Sequence, residues 1–288
     1  MHLMKKIFKT KKIKNIIIFF KNILSFKKNL LLKKLRFNHV DNIIFLGSDY
    51  GGWSFLKDRN LKDKFIISAG LGEDASFDIE LINKHNCKVI SVDPTPRAIS
   101  HYNQIMRFSG SANKLPYKDH GKQDVSSYDL KNINNENFIL IKKALYNCDD
   151  KELKFFEPPN KNHVSYSLND WQNNYKKTSD FIFVKTIMIK TILKKFNIDT
   201  LEMIKLDIEG SEIEVINKML EDKIFPNQIL VEFDELNKIS EIAIERFLKI
   251  YKKLLAKDYI LVKTNSKFPD FLFLKKDHLE KIANLYNK

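Results

Sequence analysis

Lys205, Asp207 and Glu209 alternate along the stretch "MIKLDIEGSE", residues 203–212. Successive side chains of a strand point to opposite faces, so Ile204, Leu206 and Ile208 share one face and the three ionisable residues share the other. Such groups are expensive to bury unpaired, so this face is either solvated or neutralised beside a ligand. Its place at a strand tip favours the second. Asp207 and Glu209 are the first two candidate general bases, and Lys205 could pair with Glu209 to keep Asp207 ionised. Gly210 makes the turn, and Ser211 with Glu214 has the spacing of a capping box. A divalent metal held by Asp207 and Glu209 is an open alternative, but two carboxylates without a third ligand are weak evidence, and no metal is assigned. Glu232, near the end of "QILVEFD", is a candidate for orienting substrate hydroxyls, and His163 is a third candidate base.

A second chemical stretch is "FIISAGLGEDASFD", Phe65–Asp78, where an apolar strand runs into a glycine turn and then a helix. It lacks the lysine and Ser/Thr of a phosphate loop, and Ala75 occupies the third glycine position of a dinucleotide fingerprint. Glu73 and Asp74 would place two negative charges where a pyrophosphate needs bare N–H groups. A phosphate-free ligand with cationic groups suits this turn better, with Gly70 and Gly72 allowing close backbone approach. Twenty-one residues after Gly72, "KVISVDPTP" ends its strand on Asp93, the place for a carboxylate that grips a ribose diol. Thr95 then caps a helix with Pro96 at its first position.

These residues need a scaffold that brings several strand tips together. From Lys64 onward short apolar runs alternate with helical patterns, which predicts an α/β domain with a mostly parallel sheet. Strands are expected near 65–69, 88–92, 137–143, 152–156, 181–186, 203–208, 228–233, 258–263 and 270–274. Helices are expected near 75–85, 96–107, 188–196, 211–220 and 239–256. The last two strands, joined through Asn265-Ser266-Lys267, form an antiparallel hairpin in this reading. Two polar inserts, 109–136 and 157–180, sit where loops commonly build substrate selectivity. The second carries His163, Tyr166, Trp171 and Tyr175.

In this order the glycine turn, "VDPTP", "ALYNCDDKELKFFEPP", "IKLDIEGSE" and "QILVEFD" resemble the FkbM-type family of S-adenosylmethionine-dependent methyltransferases. The resemblance runs from about Phe65 to Asp234, and Lys-x-Asp-x-Glu-Gly is its most specific part. It implies a Rossmann-like seven-stranded methyltransferase sheet and an O-methyltransferase acting on a sugar, glycan or related small molecule, as in polysaccharide biosynthesis. It further implies that Gly70 and Gly72 lie under the methionine portion of S-adenosyl-L-methionine, that Asp93 holds the ribose, and that Asp207 and Glu209 face the reaction centre. "SDYGGWSF", Ser48–Phe55, is similar to an element found before the first strand in part of the family. It places Trp53 near the substrate, although Gly51-Gly52 also reads as an ordinary hairpin turn. The first turn departs from the family pattern at Ser68, Gly72 and Asp74, and Glu73 or Asp74 is then the candidate partner of the cofactor's ammonium group. The competing readings are a catalytically degenerate Rossmann-like binding module and an NAD-dependent sugar-modifying enzyme.

The chain has 288 residues and a formal charge of +14. Residues 1–36 hold twelve of the 50 basic residues and no acid, leaving a body with thirty-eight bases against 36 acids. This predicts a basic helical extension over 1–60, with the Gly-Gly-Trp element, followed by the methyltransferase domain over 61–288. Phe, Ile and Leu interleaved with Lys in residues 1–36 fit an amphipathic helix on an anionic membrane. A packed helical layer with solvated lysines is the alternative. No base-reading chemistry accompanies the arm, so no nucleic acid partner is expected. Two cysteines, Cys87 and Cys148, give neither metal spacing nor a disulfide framework, and a cytoplasmic location is the expectation.

Overall fold

The computed structural model describes residues 26–58, 61–112, 115–157, 166–167, 180–264 and 267–286. Strands β4 (Phe65–Ala69), β5 (Lys88–Val92), β6 (Phe138–Ile141), β10 (Met203–Leu206), β11 (Gln228–Glu232), β12 (Tyr259–Val262) and β13 (Asp270–Lys275) supply the seven expected strands of one sheet. An eighth, the two-residue β1 (Phe37–Asn38), pairs in parallel with β12 at one edge. The sheet order is β1-β12-β13-β11-β10-β4-β5-β6, in which only β13 runs antiparallel to its neighbours. Chain order reverses between β4 and β10, and an open α/β sheet binds ligands at such a switch point, beyond its strand C-termini.

The parallel strands are apolar because both faces are covered. Ile66, Ile67, Val89, Ile90, Ile204, Leu206, Ile229 and Val231 are all almost fully buried. Helices α1 (26–33), α2 (Ser76–His85), α3 (Pro96–Arg107), α4 (Ile189–Lys195), α5 (Glu212–Glu221), α6 (Glu241–Leu255) and α7 (Lys276–Tyr286) complete the fold with two large apolar cores and a small third one. The expected strands at 152–156 and 181–186 form a separate sheet instead: β8 (Glu152–Phe156) and β9 (Phe181–Ile187) pair antiparallel, with β7 (Ala144–Leu145) alongside.

The segment before residue 61 shares the cores of the body. Within a helix spanning 26–33 and the turn after it, Leu31 and Leu35 are buried in the cluster of β10 and α6. Lys28 Nζ lies 4.5 Å from the centre of the Phe268 ring. Leu31 and Leu35 thus tie this part of the basic arm to the body, while residues 1–25 lie outside the described residues. Strands β2 (Ile43–Leu46) and β3 (Trp53–Leu56) form a hairpin whose Leu46, Trp53, Phe55 and Leu56 join the second core. Its anchor is a side chain: Gln228 Oε1 accepts from Leu56 N at 2.9 Å, and its Nε2 donates to Leu56 O at 3.0 Å. Among the described residues no helix is long and apolar enough to cross a membrane.

Candidate active site

A cavity of about 480 Å³ opens at the switch point, within the range of small-molecule sites. Its lining includes Gly51, Gly52 and Trp53 of the hairpin, Gly70–Asp74, Asp93, Lys205, Asp207, Glu209 and Glu232. Every sequence-predicted site residue that is described thus lies on one cavity. His163 lies outside the described residues, as do Trp171 and Tyr175.

The glycine turn is held by one carboxylate. Leu71 N and Gly72 N both donate to Asp93 Oδ2 at 3.0 Å, while Thr95 N and Thr95 Oγ1 donate to Oδ1 at 2.8 and 2.7 Å. A carboxylate offers about four lone-pair sites, so these four donors occupy it fully. Thr95 also caps α3 through Ala98 N, as its sequence position predicts, with Pro96 at the first helical position. Gly70, at φ +85°, passes so close to β10 that a Cβ there would lie 1.9 Å from Asp207 O. No other residue type fits.

The two acids of the turn are engaged by protein partners. Glu73 is 3.1 Å from Lys122 Nζ and 3.5 Å from Arg97 Nη1. Asp74 Oδ1 accepts from Ser76 N at 3.0 Å, and its Oδ2 accepts from Ser48 Oγ at 2.6 Å. Ser48 Oγ in turn accepts from Gly51 N at 2.9 Å. Gly51-Gly52 is therefore both a hairpin turn and part of the site, because the hairpin docks on the glycine turn. The insert over 109–136 closes over the same place: Lys122 pairs with Glu73, and Gly121 leaves room for the Tyr50 ring, 2.4 Å from where a Cβ would stand.

Lys205, 5% exposed, donates to Gly70 O at 2.7 Å and lies 3.6 Å from Asp207 Oδ2. Its ion-pair partner is Asp207, where the sequence suggested Glu209: the strand ends at Leu206 and Glu209 turns away at φ 56°. The capping box does not form either. Glu212 Oε1 accepts from Ile208 N and Gly210 N at 3.0 and 3.1 Å, and Glu214 pairs with Arg246. Ser211, at φ −103° and ψ 4°, lacks the extended backbone that a capping serine needs.

Sequence reasoning missed Asp234 and Asp270, which join Asp207, Glu209 and Glu232 to make one end of the cavity acidic. Antiparallel register puts Asp270 opposite Glu232. Burial, followed by the charge of Asp207, pushes Glu232 up to about 9 and Asp270 up to about 7. Asp234 rises to about 6, again chiefly through burial, with the Asn237 hydrogen bond acting against it. Asn237 Nδ2 bridges the pair, 2.9 Å from Glu232 Oε1 and 2.7 Å from Asp234 Oδ1. A cavity with this lining attracts cations and uncharged hydroxyls and repels phosphates and carboxylates. Its two lysines, Lys205 and Lys267, do not reverse that, because acidic side chains far outnumber them in the lining.

Residues 71–261 match the family model described as "Methyltransferase FkbM domain". No curated protein matches. Among solved structures, one described as "crystal structure of fibrillarin/Nop5p complex" aligns over 74% of this chain and 72% of that chain. Its identity is 12% and its TM-score 0.36, so that likeness adds nothing to the reading of the site.

Proposed function

The chain belongs to the FkbM methyltransferase family, and we propose that it uses S-adenosylmethionine to methylate a hydroxyl of a sugar, glycan or related small molecule. The observation that carries this reading is the convergence of the glycine turn and the acidic strand tips on one cavity. The donor chemistry fits the cofactor, since carboxylates favour its sulfonium and ammonium groups and the turn offers no phosphate site. Gly70, Leu71 and Gly72 would lie under its methionine portion, with Asp74 beside them. Glu73, already paired with Lys122 and Arg97, is the weaker of the two ammonium candidates. A ribose diol reaching Asp93 would take the place of the Thr95 hydroxyl as donor to Oδ1. When bound, the cofactor supplies an electrophilic methyl group.

The protein's own contribution is to position the acceptor oxygen and remove its proton. Asp207 is the base in this reading, with Lys205 fixing its orientation. Glu232 holds its proton at neutral pH and donates a hydrogen bond to a neighbouring oxygen of the acceptor. Glu209 and His163 are the further candidate bases. The acidic end favours a neutral or amine-bearing acceptor over a uronate or a phosphorylated one. Trp53 closes the inner wall, 5.5 Å from Lys205 Nζ.

Calorimetry with adenosylmethionine and a labelled-methyl screen of neutral, amino and acidic sugars test this reading. Asp207→Asn is expected to lower kcat by about 10²–10⁴-fold while cofactor affinity stays unchanged. Absence of any adenosylmethionine binding overturns the reading. The saturated Asp93 carboxylate and the paired Glu73 favour one alternative, a degenerate binding module, which predicts binding without turnover of any acceptor. An NAD enzyme predicts a thermal shift with NAD and none with adenosylmethionine. A cytoplasmic location with peripheral attachment through the basic arm is part of the same proposal.

A further inference from the structure

Three side chains converge at the opposite end of β10 from the cavity. Asp58 follows β3, Glu202 immediately precedes β10, and His278 lies in the first turn of α7. They are 3%, 8% and 5% exposed. One donor atom from each lies within 4.8 Å of the other two, and His278 Nε2 is 2.7 Å from Asp58 Oδ2. Glu202 Oε2 accepts from the neutral amide of Asn227 at 2.5 Å. Among the described residues no lysine or arginine forms an ion pair with Glu202.

The buried charge of Glu202 is the one that lacks a described counter-ion. A protonated His278 serves its neighbour Asp58 and leaves Glu202 buried with a neutral amide as its described partner, where an uncompensated ion costs several kcal/mol. A divalent cation balances both carboxylates and takes the neutral imidazole as a third ligand. We propose that Asp58, Glu202 and His278 form a binding site for a divalent transition-metal ion, of the Zn²⁺ or Mn²⁺ kind. The donor set argues for that class: one imidazole nitrogen with carboxylate oxygens and no thiolate suits a borderline ion. Asn227 supplies the hydrogen bond that orients a ligating carboxylate. Ligands around a tetrahedral zinc stand about 3.3 Å apart, so the His278–Asp58 pair, now at 2.7 Å, opens by about 0.6 Å on binding.

Glu202 and Asp207 are five residues apart along an extended strand, about 16 Å. The ion therefore takes no part in methyl transfer. It fastens the end of the hairpin and the C-terminal helix to the base of the central strand.

The test uses the full chain, purified without a polyhistidine tag and treated with a chelator. Metal content is measured by elemental mass spectrometry, and thermal melts are run before and after adding Zn²⁺ or Mn²⁺. The expected result is about one ion bound per chain, with a melting temperature that falls on chelation and returns with the metal. Glu202→Gln keeps the shape and the His278–Asp58 pair, and is expected to weaken metal binding at least tenfold. A chelated chain that takes up no metal and melts identically with either ion overturns the site. So does a folded Glu202→Gln protein that binds metal as tightly as the parent. If that variant does not fold, chelation and reconstitution of the parent chain decide the matter.

Discussion

Replacing Asp93 with asparagine changes one oxygen into an amino group at nearly constant volume. In the native chain both oxygens face only donors, two on each side. Whichever way the amide turns, its NH₂ meets two groups that also donate. One orientation sets it against Leu71 N and Gly72 N, the other against the amide and hydroxyl of Thr95. Asp93 is 6% exposed, so water does not readily satisfy the stranded groups. Two hydrogen bonds to a charged group are lost, at about 1.5–3 kcal/mol each, for a total of about 3–6 kcal/mol. That is a large part of the about 5–15 kcal/mol that holds a typical domain folded. For a chain of this size about 2–4 °C accompanies each kcal/mol, so the melting temperature is expected to fall by on the order of 10 °C. The assay is a thermal melt followed by circular dichroism, with adenosylmethionine calorimetry beside it; Asp93→Ala should likewise remove cofactor binding. A melting temperature of Asp93→Asn within about 2 °C of the parent refutes the idea that this carboxylate braces the turn.

Acidity offers a second handle. Because Glu232, Asp270 and Asp234 are raised to about 9, 7 and 6, the folded chain holds protons that the unfolded chain has already released. Their contribution to stability is complete below the ordinary carboxylate range and is lost as pH rises through those values. The melting temperature should therefore decline from about pH 6 to about pH 9, and Glu232→Gln should flatten the upper part of that decline; parallel curves for the two proteins count against the assignment. Truncation separates the two parts of the basic arm. Removing residues 1–36 deletes Leu31 and Leu35, and losing a buried leucine costs about 2–5 kcal/mol. Removing residues 1–25 spares both, and should leave the melting temperature and cofactor binding unchanged while reducing attachment to anionic vesicles. Unchanged attachment would assign the arm to plain solvated charge.

The sheet was legible because strands buried on both faces read as unbroken apolar runs, such as "FIISA" and "QILVE". What escaped had no such signature. β1 and β7 are two residues each, too short for any period. α7 begins at Lys276, directly after β13 ends at Lys275, so no turn residue announces it. At the site, spacing was enough to place Gly70, Gly72, Asp93 and Asp207 on one cavity. It could not show that the acids of the turn already have partners, because those partners come from Ser48, Arg97 and Lys122, elsewhere in the chain. Asp270 was missed for a related reason. Its strand was recognised, but only the antiparallel register with β11 brings it opposite Glu232.

The amide of Gln228 does for β3 what a peptide group of a neighbouring strand would do, donating to Leu56 and accepting from it. Both edges of β11 are taken, by β10 and β13, so this imitation holds the hairpin to a side chain of the sheet without adding a strand. Gln228 also opens β11, the strand that closes on Glu232. Besides the contacts of Lys205 and Lys267 at the cavity, the hairpin and the strand that carries Glu232 are therefore joined through a buried side chain at their far end. Any motion that admits a ligand must carry hairpin and strand together or break that imitation. A substitution at Gln228, which does not line the cavity, thus bears on how the hairpin sits beside it.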